Sequence, residues 1–548
     1  MCILESKYTN EIEMGNYIFF VSLHHIVFCC CGNHVQQALF YRLALCTWRI
    51  PFFNSRSNYS IKKESLIFKF IKMKKSIYVL LALGLVFSVK AQNKKSLKKE
   101  VIGSVETQKN ALIDISDTIW GAAEIAFQET VSSETLIAYA KANGFKVEVG
   151  VAETPTAFVA TYGSGKPVIG ILGEFDALPG LSQKATPEKT PLDKGAAGHG
   201  CGHNLFGTAS LGAAVAIKNL IATGKLKGTV KFFGTPAEEK FFGKLWMARA
   251  GLFDDLDACV DWHPADQTEA DVQSSLALVD FKVEFFGQAA HASADPWNGR
   301  SASDALELYT HGINSYREHV KPTVRIHYHI QDGGQVVNVV PDYSRLWVRV
   351  RDTKRDGMNE VYQQVKKMAE GAAILANVDY KVNLISGIHE ILPNRAGGAA
   401  IQKNLEQLGE ISYTDEEQNF AYKIQEATFK PTIGIDGSIN PLKETAEHPM
   451  GGSTDVGDVS FLVPVVRLGV TTAPKGTPWH SWAVVACGGM SIGHKGMVYA
   501  AKALSMTMVD LFTDKALLES VKEEFKTRKG DYQYQGLLPS GPPPLGEE

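Results

Sequence analysis

A glycine-rich segment at residues 198–204 places a thiol and an imidazole two positions apart, at Cys201 and His203. Two adjacent acids, Glu238 and Glu239, follow further along the chain. Cysteine sulfur, histidine nitrogen and carboxylate oxygen are ligands that zinc and other first-row divalent metals take in proteins. Because a carboxylate beside such a metal also suits a general base, this combination indicates metal-dependent hydrolysis of an amide bond.

We expect the two adjacent acids to have different roles. Neighbouring residues at the end of a strand point in different directions, so one acid can bind metal while the other faces the substrate. The alternative is a pair of solvated acids at the start of a helix, where negative charge suits the helix dipole. The small and apolar residues that precede them, at positions 234–237, make that alternative less attractive.

The elements that must position these groups follow an alternating pattern. Short apolar runs predict strands at residues 167–173, 229–234 and 257–262, and longer ones predict helices at 205–221 and 241–250. This alternation predicts an α/β fold with a mostly parallel sheet.

Chemically suitable side chains follow each of the three strands. Asp176 follows the first, Glu238 and Glu239 the second, and His263 the third. Open α/β sheets build their sites beyond the carboxyl ends of parallel strands. We therefore interpret His263 as a metal ligand, although an isolated histidine at a strand end is more often structural.

One more ligand is expected far along the chain. His480 follows a strand-like run at residues 465–471 and a turn, and we interpret it as the last metal ligand. His448 is the competing candidate. His199 lies in the same glycine-rich segment as Cys201, and its role is left open.

Between about residues 276 and 390 the pattern changes to four strands and two helices in the order β-α-β-β-α-β, which is the ferredoxin-like arrangement. We interpret this segment as a small domain inserted into the larger one. The catalytic domain then comprises residues 96–275 and 391–530, and residues 531–548 form a tail rich in proline and glycine without a core of its own.

Three polar residues of the small domain could meet a substrate. His291 lies among small residues after a strand, Asn338 lies in a loop, and Arg351 ends a strand. A histidine would suit a developing oxyanion, and an asparagine with an arginine would suit a substrate carboxylate. The alternative is that all three are surface polar residues on an antiparallel sheet.

Composition limits the possible partners. The 548 residues are 45% hydrophobic, which is enough for two cores, and 56 basic residues nearly balance 59 acidic ones. The formal charge of -3, without a basic stripe, excludes nucleic acid as a partner.

The N-terminal part resembles an export signal. Residues 73–91 combine a basic start, an apolar run and small residues before Gln92, and the run is too short for a stable membrane span. We therefore expect a signal peptide and a periplasmic or secreted protein. Residues 1–72 are interpreted as a spurious upstream extension, and a cysteine-rich metal or redox module is the alternative.

Cysteine usage indicates that the exported chain does not depend on disulfide bonds. Five of the eight cysteines lie in residues 1–72, and the others are Cys201, Cys259 and Cys487. Cys259 and Cys487 are interpreted as small buried residues, and a bond between them is the alternative.

Together these motifs resemble the M20 metallopeptidase family, in its amidohydrolase branch and specifically the aminobenzoyl-glutamate utilisation protein B group. The resemblance covers essentially all of residues 96–530 in the family's order. The segments that carry it are GEFDALPG (173–180), GHGCGHNLFG (198–207), GTPAEE (234–239), DWHP (261–264), GQAAHAS (287–293), GGQVVNVVPD (333–342), GGSTDVGDVS (451–460) and HSW (480–482).

The resemblance implies a two-metal catalytic domain with an inserted lid or dimerisation domain, and hence a homodimer. It implies that Glu238 is the catalytic base and that His291 reaches the active site of a partner. Asn338 and Arg351 match substrate-carboxylate positions. The residues that match the metal ligands, with Cys201 bridging, are Cys201, His203, Glu239, His263 and His480.

One departure from the family pattern concerns the start of the site. Many M20 peptidases have HxD where this chain has Glu174-Phe175-Asp176. This departure fits the amidohydrolase branch and leaves the roles of Glu174 and Asp176 open.

We expect two divalent metal ions, Zn or Mn, to hold a hydroxide while Glu238 transfers its proton. The expected substrate is a small N-acyl amino acid or an aminobenzoyl-glutamate-like amide. The alternatives are a dipeptidase or carboxypeptidase, and a non-catalytic metal-binding protein of the same fold. Glu238 argues against the last, because a binding site needs no base beside its ligands.

Overall fold

A computed structural model describes residues 94–446 and 451–545. These residues all lie within one compact unit, Leu83–Glu548. The expected upstream extension, the signal peptide with its cleavage site, and His448 lie outside the described residues.

Two sheets organise the described chain. The strands are β1 (Lys146–Val149), β2 (Phe158–Ser164), β3 (Val168–Glu174), β4 (Gly228–Thr235), β5 (Ala258–Ala265), β6 (Glu269–Asp271), β7 (Ala277–Phe286), β8 (Arg325–Asp332), β9 (Tyr343–Asp352), β10 (Asp379–Ile388) and β11 (Val465–Thr471). The helices are α1 (94–122), α2 (Thr130–Ala142), α3 (His203–Ala222), α4 (Gly243–Arg249), α5 (Ala302–Tyr316), α6 (Arg355–Ala376), α7 (Arg395–Leu408), α8 (Asp415–Ala427), α9 (Val456–Ser460), α10 (Trp482–Gly488), α11 (Ser491–Thr513) and α12 (Lys515–Lys529).

The larger sheet confirms the predicted α/β class. Its seven strands lie in the order β1-β2-β4-β3-β5-β11-β6. The four central strands, β4, β3, β5 and β11, are mutually parallel. β1, β2 and β6 run antiparallel at the two edges, so the sheet is mixed around a parallel centre.

The predicted strands at 167–173, 229–234 and 257–262 are confirmed as β3, β4 and β5. The expectation that β5 ends at His263 is wrong, because the strand continues to Ala265. Val470 of β11 lies opposite Pro264, and the Thr472 amide donates to the Ala265 carbonyl at 2.7 Å. Proline removes only its own donor, and pairing through the following carbonyl preserves the ladder.

Helices α3 and α11 pack against the larger sheet and supply much of its core. One helix within the described ranges, α3, is long and apolar enough to cross a membrane, and 78% of that apolar window is buried inside the protein. Burial of this kind is what a core helix shows, and it follows from the small residues that let α3 approach the sheet closely.

The smaller sheet is antiparallel, with strand order β10-β7-β9-β8. The chain runs β7-α5-β8-β9-α6-β10, which is the element order expected from the sequence. The apolar positions of β7 and β9 pack with α5 and α6 in a core separate from that of the larger sheet. β8 lies at one edge of this sheet.

The C-terminal tail lies against the protein. The Gly387 amide donates to the Leu537 carbonyl at 2.8 Å, which attaches the tail to β10. Leu537 packs against the core of the smaller sheet, and Leu538 packs against residues of α4. The tail therefore contributes side chains to the hydrophobic clusters on which it lies.

Candidate metal centre

The glycine-rich loop before α3 presents Cys201 and His203 to one point. Gly202 has a φ of 78° and is the N-cap of α3, so His203 is the first residue of the helix. A Cβ atom at position 202 would lie 3.0 Å from Pro264 Cβ, which is why this turn requires glycine. The turn brings Cys201 Sγ to 3.5 Å from His263 Nε2.

The five predicted ligands lie together around Cys201. Their donor atoms form two groups, each with its atoms within 4.8 Å of one another. The first group is Cys201, His203 and His263, and the second is Cys201, Glu239 and His480. Cys201 is thus common to both groups, as a bridging position requires.

Asp176 orients His203. Its Oδ1 lies 2.9 Å from His203 Nδ1, and its Oδ2 accepts a hydrogen bond from the Glu239 amide at 2.9 Å. His203 Nε2, on the opposite side of the ring, lies 3.0 Å from Glu174 Oε2 but makes no hydrogen bond. The ring therefore presents Nε2 to the donor groups.

Glu238 lies on the other side of the centre from Glu239. It forms a third group with Glu174 and His203, whereas Glu239 groups with Cys201 and His480. Burial, followed by the charge of Glu174, raises the pKa of Glu238 well above its usual range. The two acids therefore point to different groups, which is the arrangement that a division of roles requires.

His480 comes from the far end of the chain. It has a φ of 55°, and its amide donates to the Gly200 carbonyl at 3.0 Å, which ties the two loops together. Its Nε2 lies 3.5 Å from Glu239 Oε1. Burial, followed by the charge of His203, lowers the pKa of His480, so the imidazole is kept in the neutral form that binds metals.

The donor set fits divalent cations. His203 Nε2 and Glu239 Oε1 are buried and have no hydrogen-bond partner among the described residues. Buried polar atoms without partners are costly, and metal ligation would satisfy both. One sulfur with several nitrogen and oxygen donors is a combination that Zn and related first-row metals accept.

A buried ion cluster beside the centre was missed from the sequence. Lys244 Nζ lies 2.6 Å from Glu174 Oε1 and 2.6 Å from Asp455 Oδ1. All three side chains are buried. A lysine within the otherwise apolar segment 241–248 was the available signal, because a charge in such a segment is retained only when it is paired.

The three predicted substrate residues are separated in this chain. His291 and Asn338 are both exposed and adjacent, since the Ala292 amide donates to the Asn338 carbonyl at 3.1 Å. His291 belongs to none of the donor groups found among the described residues. Arg351 donates to Ser453 Oγ at 3.2 Å, and its charge helps to lower the pKa of His480.

His199 anchors the metal loop. Its Nε2 lies 3.0 Å from the Ile119 carbonyl of α1, and it belongs to none of the donor groups in the described part of the chain. Cys259 and Cys487 are free and buried, in agreement with their interpretation as small core residues.

Comparison with known proteins gives consistent results. The sequence profile of Peptidase family M20/M25/M40 matches residues 170–427. A p-aminobenzoyl-glutamate hydrolase chain of Escherichia coli is 36% identical over 470 residues, which cover 81% of this chain and 98% of that protein. The Xaa-Arg dipeptidase of Mus musculus is 29% identical over 463 residues, covering 80% and 94%.

Solved structures share the fold. The aminobenzoyl-glutamate utilization protein of Klebsiella pneumoniae has a TM-score of 0.52 at 16% identity, covering 75% of this chain and 97% of that one. A dinuclear metal-binding peptidase of the M20 family from Bacillus subtilis has a TM-score of 0.51 at 17% identity, covering 74% and 99%.

Proposed function

Since the chain belongs to peptidase family M20/M25/M40 and is a metal-dependent hydrolase of amide bonds, we propose that it cleaves N-acyl amino acids or aminobenzoyl-glutamate-like compounds. The observation that carries this proposal is the pair of donor groups sharing Cys201, with the buried acid Glu238 beside them. A purely binding site would need no such acid.

Two divalent ions, Zn or Mn, would be held by the two groups. Cys201, His203 and His263 would hold one, and Cys201, Glu239 and His480 the other. When bound, such ions act as Lewis acids on the carbonyl of a substrate amide.

Glu238 would transfer the proton. Its carboxylate accepts a proton from the attacking water and then donates it to the leaving nitrogen. The raised pKa of this buried acid favours holding that proton between the two steps. The direct test is Glu238→Gln, which keeps the shape of the side chain and removes its ability to accept a proton.

The test uses the purified protein stripped of metal and reloaded separately with Zn and Mn. It is given N-acyl amino acids, aminobenzoyl-glutamate and free dipeptides. We expect turnover of the acylated compounds that returns only with metal, and metal content without turnover in Glu238→Gln. The exposed Glu134, changed to Gln, is the matched control and should retain full activity. Full turnover by Glu238→Gln would contradict the proposed mechanism.

A second candidate activity is that of a dipeptidase. The similarity to Xaa-Arg dipeptidase over 80% of the chain favours it. Cleavage of free dipeptides without cleavage of acylated amino acids would replace the first proposal with this one.

Substrate recognition is assigned to Arg351 and Asn338, which would bind a substrate carboxylate. The Arg351 guanidinium has no ion pair in the described chain, and its Nε has no hydrogen-bond partner there. Arg351→Met should therefore raise KM far more than it lowers kcat. An unchanged KM would remove Arg351 from the substrate site.

We further propose that residues 276–390 form an inserted ferredoxin-like lid domain through which two chains associate. Strand order β10-β7-β9-β8, with an open edge at β8, supports this. His291 would then act in the site of a partner, which is consistent with its exposure in this chain.

Mixing two inactive variants tests the action of His291 on a partner. Glu238→Gln and His291→Ala would each be inactive alone, while a mixed dimer would contain one intact site. Free exchange should restore about a quarter of the wild-type activity, because half the dimers are mixed and half their sites are intact. A fully active monomer, measured by light scattering, would contradict the proposal.

We also propose a periplasmic or secreted location, from the signal-like residues 73–91. N-terminal sequencing of the exported protein should begin near Gln92. Retention of residues 1–91 in the cytoplasmic fraction would contradict this location.

A further inference from the structure

We propose that Glu129 is a positioning residue for Glu238, acting through the backbone of Ala237. The proposal rests on the role proposed above for Glu238 as the base. Glu129 lies at the start of α2, before the residues at 170–427 that match the family profile, and it belongs to none of the donor groups in the described ranges.

The carboxylate of Glu129 is held between two other parts of the chain. Oε1 accepts a hydrogen bond from the Ala237 amide at 2.9 Å, and Oε2 accepts one from Thr156 Oγ1 at 3.0 Å. Glu129 is 0% exposed, so these hydrogen bonds do not compete with water.

The backbone that Glu129 holds is in an unusual conformation. Ala237 has a φ of 60°, which costs energy for a residue other than glycine. Such a conformation persists only when its surroundings impose it. Because Ala237 directly precedes Glu238, relaxation of this residue would redirect the Glu238 side chain.

Both sides of Glu238 are fixed in the same way. The Ala237 amide donates to Glu129, and the Glu239 amide donates to Asp176 Oδ2 at 2.9 Å. Two buried carboxylates therefore fix the backbone immediately before and after the acid. Preorganisation of this kind is what a proton-transferring group requires.

A second contact joins the same two segments. The Phe127 and Phe241 rings stack at 5.4 Å between centroids with an interplanar angle of 3°. The Ala237 carbonyl in turn accepts from the Phe242 amide at 2.7 Å. The connection before α2 thus grips the acidic loop through both a polar and an aromatic contact.

The ordinary role of an acid at this position is already filled. Glu129 is the N-cap residue of α2, yet its side chain makes no capping hydrogen bond. Glu124 does so instead, accepting from the amides of Val131 and Ser132 at 2.9 Å each. The carboxylate of Glu129 is therefore directed to the Ala237 loop rather than to its own helix.

The kinetic test compares Glu129→Ala with Glu129→Gln in the full-length, metal-loaded protein. The alanine variant should lower kcat by about 10- to 100-fold, with KM and metal content unchanged, because the base is misplaced while its ligands remain. Glutamine retains a carbonyl oxygen for the Ala237 amide and should recover kcat to within about threefold of wild type. Thr414→Ala, which removes the cap of α8, is the control for a general loss of stability and should leave kcat unchanged.

An unchanged kcat in Glu129→Ala, a loss that merely follows the metal content, or no recovery with glutamine would each overturn the proposal. Hydrogen exchange of residues 235–242 supplies a readout independent of turnover. Glu129→Ala should accelerate exchange of the Ala237 amide, and Glu129→Gln should restore its protection; equal protection in all three proteins would also overturn the proposal. If Glu238→Gln kept full turnover, the proposed function would fail while this exchange result still stood.

Discussion

The Asp176 carboxylate holds His203 through Nδ1 at 2.9 Å, which leaves Nε2 of the same ring facing the donor groups. The other oxygen of Asp176 accepts from the Glu239 amide, so one side chain orients residues of both groups around Cys201. A carboxylate behind a ligating imidazole fixes the tautomer and the ring orientation and increases the basicity of the free nitrogen.

Asp176→Asn should weaken metal binding without unfolding the protein. The amide cannot accept at both ends, so either His203 Nδ1 or the Glu239 amide loses its partner. We expect metal affinity to fall by about 10- to 100-fold, measured by competition with a chelator. Asp193→Asn, at an exposed site, is the control. Wild-type affinity in Asp176→Asn would show that the second carboxylate oxygen is dispensable.

Cys201→Ser should abolish binding of two ions, because Cys201 is the only residue common to both cysteine-containing groups. A serine hydroxyl replaces a thiolate poorly as a ligand of Zn. Cys487→Ser is the matched control, since Cys487 is an equally buried free cysteine that packs with Ile424 and Ala473. Metal content measured by mass spectrometry should fall in the first variant only. Two ions retained at wild-type affinity in Cys201→Ser would remove its bridging assignment.

Metal affinity should rise with pH. Burial raises the pKa of Glu239 to about 7 and that of Cys201 above its usual range, so both hold protons in the metal-free protein near neutrality. A ligand must lose its proton to bind, hence protons compete with the metal and affinity falls as pH is lowered. Calorimetry in buffers of different ionisation enthalpy should show proton release on binding. An affinity that is constant from about pH 6 to 8 would contradict this coupling.

Lys244→Met should destabilise the metal-free protein strongly. It would leave Glu174 and Asp455 buried without their shared cation, and breaking a buried ion pair in this way costs about 3–5 kcal/mol. Lys225→Met removes a lysine whose pair with Glu100 is substantially exposed and should cost about 0–1 kcal/mol. Urea unfolding of the two variants would give both free energies. Equal losses would mean that the buried cluster adds no more than a surface pair.

The elements around the centre were predictable because their signals are local. Continuous apolar runs identify β3, β4 and β5, and their carboxyl ends predict where Asp176, the Glu238-Glu239 pair and His263 meet. The continuation of β5 through Pro264 was not predictable, because it depends on the neighbouring strand β11. The same holds for the antiparallel edges of the larger sheet.

The sequence by itself determined the kinds of donor atoms, their spacing around Gly202, and the α/β order that brings strand ends together. Only the tertiary structure decided which distant groups hold those donors in place. Glu129 contacts Ala237 across 108 positions of chain, and Lys244 contacts Asp455 across 211. Such pairs have no local periodicity, because they are set by how whole helices and strands pack, and a buried charge finds its partner only once that packing exists.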